Sequence, residues 1–165
     1  MQNDAIWTKY EGPHRGTAIA TLQMLIEVCR DSERGYSCAA EHVSDGWLKQ
    51  LFVDYADQRA TFAADLERQL AVFGDEPVSH PSVAGWVHRK WLEVRSLIEP
   101  GSAIAMLLEC ERGENAARVK YEHALAAPLP PRVKELLRTH LLEIHEAHDR
   151  LDRMRGHALT VRFIS

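Results

Sequence analysis

The chain has 165 residues, of which 45% are hydrophobic and 27% charged. This is an ordinary globular composition, with enough chain for one domain and a sizeable core. The 20 basic and 24 acidic residues are mixed along the chain and leave a formal net charge of -4. No charged block marks a surface for nucleic acid or for an anionic membrane, so we expect neither partner.

The cysteines and the N-terminus indicate the cellular compartment. Cys29, Cys38 and Cys110 lack the spacing of a metal site, and the start of the chain lacks the basic and apolar segments of a signal peptide. No apolar run reaches the roughly 20 residues that a membrane-spanning helix needs. We therefore expect a cytoplasmic protein.

Two long helices are predicted in the first half of the chain. Residues 1–16 are mostly polar with glycine and proline, and predict an N-terminal extension. From Thr17 an apolar residue recurs every three or four positions, which predicts an amphipathic helix. The inward stripe of this helix consists of Ile19, Leu22, Ile26, Cys29, Glu33, Tyr36, Ala40 and Val43. After a turn at Ser44-Asp45-Gly46, a second helix runs to Gly74. Its stripe consists of Leu48, Phe52, Tyr55, Arg59, Phe62, Leu66 and Phe73, with Gln58 beside it.

A different pattern follows between Asp75 and Gly101. Prolines bracket residues 82–98, whose apolar residues fit one face of a helix shorter than its neighbours. This segment predicts a short helix between the second and third long helices.

The second half of the chain predicts two more long helices. The third begins after Ser102, and the prolines at 128, 130 and 131 end it and open the fourth. The inward stripe of the third is Ile104, Leu107, Glu111, Glu114, Arg118, Tyr121 and Leu125. That of the fourth is Val133, Leu137, Leu141, Ile144, His148 and Leu151. The pattern fades near Gly156, so we expect a bundle over residues 17–156 and a C-terminal tail over 157–165.

The polar residues of the stripes predict how the helices connect. Glu33 and Gln58 are about equally far from the first turn, so in an antiparallel pair of helices they lie at the same level along the bundle axis. Glu111 and Glu114 lie at one level with His148 across the proline turn. The two levels coincide only if the second and third long helices run parallel. The chain must then cross the length of the bundle between them, with the short helix as the crossover. This is the connection of an all-α, ferritin-like four-helix bundle.

Four runs of the sequence carry a family resemblance. These are ECERGENAARVKYEHAL, EAHDRL, QRATFAADLE and HRKWLEVRSLI. They resemble an uncharacterised bacterial family of four-helix-bundle proteins, a domain of unknown function grouped with the ferritin-like proteins. The similarity covers about residues 20 to 155. The resemblance implies a fold and no activity, since the family has no established function.

Ferritin-like di-metal sites combine a Glu from each of two helices with a Glu-x-x-His from each of the other two. Measured against that pattern, the candidate ligands for iron or manganese are Glu33, Glu111, Glu114 and His148. The second helix departs from the pattern because it offers Gln58-Arg59-Ala60-Thr61. The fourth offers His145-Glu146-Ala147-His148, with histidine where glutamate is expected.

Unpaired buried charge is costly, so the inward glutamates need cations as partners. Arg59 and Arg118 can take the place of metal ions and neutralise them. The predicted buried polar network consists of Gln58, Arg59, Arg118, Tyr36, Tyr55 and Tyr121, and we expect its tyrosines to be core residues. Other histidines, among them His140, fall on different faces, and their spacing predicts no cluster.

Two functional hypotheses remain open. The first is a binding or stress-related structural module, able to form a homo-oligomer, whose interior polar layer is a degenerate metal site and which is not an efficient enzyme. The alternative is a metal-dependent oxidoreductase or metal store that binds iron or manganese. The arginines distinguish the two: pairing with the glutamates favours the first, and an outward orientation favours the second.

Overall fold

The computed structural model describes residues 13–78 and 103–164. They form four long helices: α1 (Pro13–His42), α2 (Gly46–Val72), α3 (Ala103–Ala126) and α4 (Pro131–Ile164). These described residues contain no strand, so the predicted all-α class is confirmed. Residues 82–98, for which a short crossover helix was predicted, and most of the predicted N-terminal extension lie outside the described ranges. No helix in the described ranges is long and apolar enough to span a membrane.

Local signals place most of the helix ends. Asp45 caps α2, because its side chain accepts a hydrogen bond of 2.7 Å from the backbone N–H of Leu48. Gly74 follows α2 with a φ of 71°, a left-handed conformation that glycine adopts without a steric penalty. Pro131 begins α4, where its missing N–H costs nothing. The predicted end of α4 near Gly156 was wrong, because a single glycine costs a helix only about 1 kcal/mol and does not end it.

Contacts between α1 and its neighbours define the topology. Along α1, Cys29 contacts Tyr121 of α3 and Tyr36 contacts Glu114. The numbers rise on α1 as they fall on α3, so these helices are antiparallel. The same holds for α1 and α2, since Arg30 contacts Glu67 while Tyr36 packs on Tyr55. Both α2 and α3 run opposite to α1, and they are therefore parallel to each other.

The parallel arrangement confirms the connectivity predicted from the polar levels. Helix α2 ends at one end of the bundle, and α3 begins at the other. Helix α4 completes the bundle: it runs antiparallel to α3, since Tyr121 contacts His140 while Glu111 contacts Arg155, and it packs beside α2. This is the topology of ferritin-like bundles.

The buried core has two apolar parts along the length of the bundle. One cluster contains Ala18, Leu22, Leu25, Ile26, Cys29, Phe62, Ala63, Leu66, Leu70, Phe73, Tyr121, Ala124, Leu129, Val133, Leu137 and Ile144. The other contains Tyr36, Ala39, Ala40, Val43, Leu48, Leu51, Phe52, Tyr55, Ala56, Met106, Leu107, Cys110, Ala147 and Leu151. Arg59 on α2 and Glu114 on α3 are buried between residues of the two clusters. The core is thus divided by a charged layer.

The stripe predicted for α2 is confirmed, because all seven of its residues are buried. On α3 the prediction was partly wrong. Leu107, Glu114 and Tyr121 are buried as expected, but Cys110 and Ala117 are buried in place of Glu111 and Arg118. The predicted and observed patterns agree at Leu107, Glu114 and Tyr121. Between these positions the buried residue comes one place earlier in the sequence than predicted. Small residues at those positions let the helices approach closely, while the charged neighbours stay on the flank.

The same shift occurs on α4, and an inward charge predicted on α1 is also not fully buried. On α4, His140 and Ala147 are buried in place of Leu141 and His148, which are half-buried. On α1, Glu33 is also only half-buried. The interior therefore contains fewer carboxylates than the predicted stripes would supply.

Candidate functional site

The charged layer is built on one ion pair inside the bundle. Arg59 Nη2 donates to Glu114 Oε2 at 2.7 Å, and both side chains are only 1% exposed. Tyr36 Oη donates to the other carboxylate oxygen, Glu114 Oε1, at 2.6 Å. Both oxygens of Glu114 therefore accept hydrogen bonds from neighbouring helices. The layer joins α1, α2 and α3.

Aromatic rings surround this ion pair. The guanidinium carbon of Arg59 lies 5.0 Å from the centroid of the Phe62 ring, within range of a cation–π contact. Tyr36 packs against Tyr55 and Phe52, with centroids 5.2 and 6.0 Å apart. Among the described residues, the Nε and Nη1 donors of Arg59 are buried and have no hydrogen-bond acceptor. The Phe62 ring compensates part of that loss.

The protonation states of the layer follow from its surroundings. Burial opposes the charge on Arg59, but the charge and hydrogen bond of Glu114 outweigh it, and the pKa of Arg59 is raised above its ordinary value. Burial, reinforced by the negative charge of Glu114, raises the pKa of Tyr36 well above its usual range. Arg59 therefore remains a cation and Tyr36 a neutral phenol.

A second polar chain runs through the neighbouring part of the core. The thiol of Cys29 lies 3.1 Å from Tyr121 Oη, which lies 3.1 Å from His140 Nδ1. His140 Nε2 lies 3.3 Å from Asp65 Oδ2. The imidazole stacks on Phe62, with centroids 3.9 Å apart and planes at 12°. The chain thus leads from a buried thiol to a carboxylate that is 24% exposed.

Burial sets the protonation of this chain. It raises the pKa of the Cys29 thiol to about 11 and that of Tyr121 well above its usual range. It lowers the pKa of His140, although the hydrogen bond and charge of Asp65 oppose that shift. At neutral pH the thiol, the phenol and the imidazole are all uncharged.

One feature of the sequence indicates the inward position of His140. It lies three residues after Leu137 and four before Ile144, so it satisfies the helical period as well as Leu141 does. The predicted stripe of α4 contains Leu141 instead, because apolar side chains are favoured at inward positions. Asp65 is hydrophilic and sits on the flank of α2, and no sequence signal indicated its role.

Two other residues of the predicted network lie elsewhere. Gln58 Nε2 donates to Glu143 Oε2 at 2.7 Å, in a part-buried contact between α2 and α4. Arg118 is 30% exposed and pairs along its own helix, with Glu122 Oε1 at 2.6 Å and Asn115 Oδ1 at 2.8 Å. Its guanidinium does not reach the layer, because Ala117 faces inward at that level of α3.

The four candidate metal ligands lie in separate environments. Glu114 contacts Arg59 and Tyr36 as described. Glu111 forms an ion pair with Arg155, with Oε2 and Nε 2.7 Å apart. His148 Nδ1 lies 3.5 Å from Asp149 Oδ1, and Glu33 is half-buried on α1. Within residues 13–78 and 103–164, no three His, Cys, Asp or Glu side chains are grouped as metal ligands would be.

A groove between α1 and α3 opens onto the charged layer. As formed by the described residues, it has a volume of about 560 Å³. Tyr36, Cys110 and Glu114 form part of its wall, and Gly35 and Gly113 leave its sides free of bulky groups. Its size is that of a small-molecule site. Glu114 and Tyr36 are thus near the surface in spite of their burial.

Comparison with solved structures identifies a related fold. A point mutant of Dps1 from Mycobacterium smegmatis superposes with a TM-score of 0.71, covering 86% of this chain and 96% of the other. The two are 12% identical, which shows a shared ferritin-like fold alone. No curated protein sequence matches the chain.

A family model extends over more than half of the chain. It matches residues 17–127, which cover most of α1 and all of α2 and α3, with both Arg59 and Glu114. The model describes a domain of unknown function, in agreement with the resemblance noted in the sequence. The chain therefore belongs to the DUF2383 family.

Proposed function

We propose that this protein is a ferritin-like structural and binding module in which an arginine replaces the metal ions of the interior site. The observation that carries the proposal is the 2.7 Å contact between Arg59 Nη2 and Glu114 Oε2, with both side chains 1% exposed. The guanidinium supplies the positive charge that the buried carboxylate needs. The interior layer is then a degenerate metal site.

The donor set fits a di-metal centre poorly. A cation at Glu114 would compete with Tyr36 and Arg59 for its two oxygens. It would also lie beside a guanidinium that keeps its charge at any physiological pH. Glu111 is paired with Arg155, so a metal there would first have to displace a second arginine. We derive no chemistry through a metal at this layer.

The fold and the groove support the rest of the proposal. A groove of about 560 Å³ beside Tyr36 and Glu114 suits a binding role. No disulfide joins the three cysteines, all of which lie in the described part of the chain, in keeping with the reducing cytoplasm we propose as its compartment. We also propose a stress-related role and self-association, for which the ferritin-like fold is the support.

Metal analysis tests the proposal directly. Protein purified without chelator or affinity metal should contain less than one iron or manganese ion per chain by mass spectrometry. Added ferrous or manganous ion should leave the melting temperature unchanged, because a ligand that binds only the folded state would raise it.

A stoichiometric pair of metal ions would overturn the proposal in favour of the oxidoreductase or storage alternative. Glu33, Glu111, Glu114 and His148 would then be the ligands to substitute. The variant Arg59→Met provides an internal comparison: if the arginine occupies the cation position, only this variant should gain affinity for a divalent ion.

A further inference from the structure

The chain from Cys29 to Asp65 is unusual for a bundle core. Three polar groups, Cys29, Tyr121 and His140, are each buried to 1% exposure or less and form a continuous hydrogen-bonded series. Apolar side chains of the same volume would fill this space without the free-energy cost of desolvating polar groups. The arrangement neighbours the Arg59 ion pair, because Arg59 and His140 both contact the Phe62 ring.

The direction of each hydrogen bond follows from Asp65. A carboxylate can only accept, so His140 carries its proton on Nε2 and donates it to Asp65. His140 Nδ1 is then an acceptor, and Tyr121 donates its O–H to it. Tyr121 Oη is left to accept from the Cys29 thiol. All three donors point from the interior toward the surface.

We infer that Tyr121 and His140 form a one-electron redox pair. The co-reactant is a one-electron oxidant of the radical or high-valent metal class, acting from outside the bundle. Tyr121 loses one electron to the oxidant, which is reduced by one. Its O–H bond breaks, and an N–H bond forms at His140 Nδ1. The products are a neutral phenoxyl radical and an imidazolium.

The surroundings favour these products over others. Oxidation without loss of the proton would leave a charged radical in an apolar core, which is costly. The positive charge instead moves to His140, 3.3 Å from the Asp65 carboxylate. Burial keeps the imidazole neutral before the reaction, so Nδ1 is open to a proton. The extra proton can then leave toward solvent through Asp65.

Cys29 lies where it can repair the radical. Its Sγ is 3.1 Å from Tyr121 Oη, close enough to transfer a hydrogen atom. The S–H bond breaks, the phenolic O–H bond is restored, and the unpaired electron resides on sulfur. Oxidation that begins at Tyr121 therefore ends on the sulfur of Cys29, as a thiyl radical.

Tyr36 is a built-in control for this inference. It is also a buried phenol with a hydrogen-bond acceptor, but the acceptor is Glu114. Proton transfer to Glu114 would neutralise the anion that is paired with buried Arg59, at a large electrostatic cost. Of these two tyrosines, Tyr121 is the one bonded to a neutral base, and protonation of that base places a cation beside Asp65 instead of removing the partner of Arg59.

The experiment generates a ruthenium(III) polypyridyl oxidant by a laser flash and follows the phenoxyl radical by its optical band and by electron paramagnetic resonance. Four variants are compared with the unmodified protein: Tyr121→Phe, His140→Gln, Cys29→Ala and the matched control Tyr36→Phe. The tryptophan radical reports delivery of the oxidant, since Trp47 is 58% exposed. Circular dichroism checks the fold of each variant.

The expected results separate the two buried tyrosines. The phenoxyl signal should be lost in Tyr121→Phe and kept in Tyr36→Phe. In His140→Gln its formation should slow by about 100-fold, the smaller end of what a positioned proton acceptor contributes. In Cys29→Ala the radical should live longer, because its hydrogen-atom donor is gone.

Other outcomes would overturn the inference. One is a phenoxyl signal that is still present in Tyr121→Phe. The other is a phenoxyl radical that forms as fast in His140→Gln as in the unmodified protein. If the variants fail to fold, the unmodified protein still decides: formation must slow in D₂O, and equal rates in H₂O and D₂O would refute the coupled proton transfer. None of these results depends on the metal content of the protein. The redox pair and the proposed structural role are therefore tested independently.

Discussion

Glu114→Gln should destabilise the protein strongly, because it keeps the side-chain volume and removes the charge that neutralises Arg59. Both members of the ion pair are 1% exposed, so solvent cannot replace the lost interaction. Breaking a buried pair by removing one partner costs about 3 to 5 kcal/mol. For a chain of this size that corresponds to a fall in melting temperature of roughly 10 °C. Urea denaturation followed by circular dichroism would measure the loss.

The matched control is Glu122→Gln on the same helix. Glu122 pairs with Arg118 four residues earlier, and the two side chains are 43% and 30% exposed. Exposed pairs of this kind contribute roughly 0.5 kcal/mol or less. Equal urea midpoints for the two variants would refute the buried ion pair as a source of stability.

A compensated variant sharpens the test. Replacing the whole polar group with apolar residues, as Arg59→Met, Glu114→Leu and Tyr36→Phe together, leaves no polar group stranded. It should recover most of the stability lost in Glu114→Gln. A combined loss as large as that of the single variant would show that packing, rather than charge, is responsible.

Three further predictions concern other parts of the bundle. Because burial lowers the folded-state pKa of His140 below the unfolded value of about 6.5, the unfolded state binds more protons below that pH. Stability should therefore fall as the pH drops through 6.5 toward the folded-state pKa, and His140→Gln should flatten this part of a pH series of melting temperatures. Asp45→Ala removes the cap of α2 and should cost about 1 kcal/mol in urea denaturation, whereas Asp45→Asn should cost much less. A thiol reagent should label half-buried Cys38 before Cys29 and Cys110, which are both buried, and simultaneous labelling of all three in the native protein would contradict their placement.

Local chemistry explains why so much of the fold could be predicted. Some helix ends depend only on the few residues next to them. These are the turn at Ser44-Asp45-Gly46, the left-handed Gly74 and the prolines before α4, and each is found where the sequence indicated. The stripe of α2 was also predicted correctly, since its large apolar side chains leave one choice of inward face. Where a helix end depends on a weak signal, as at Gly156, the prediction was wrong.

The site was harder to predict because a helix stripe is wide. Neighbouring residues such as Glu111 and Cys110, or Arg118 and Ala117, are about 100° apart around a helix, so both can lie at the edges of a stripe that is about 100° wide. Either satisfies a spacing of three and four. The choice depends on how closely the facing helix approaches, which is a property of the neighbour rather than of the helix itself.

The sequence by itself determined four helices, their inward periodicity, the parallel run of α2 and α3, and the presence of Arg59 and Glu114 on inward faces. These follow from short-range backbone preferences and from the need to bury apolar surface. Only the tertiary structure decided that Glu114 and not Glu111 is paired with Arg59, that Arg118 points along its own helix, and that His140 joins Tyr121 to Asp65. The physical reason is that a side chain a few ångströms long reaches only the groups that helix packing brings beside it, and that packing is settled by all four helices at once.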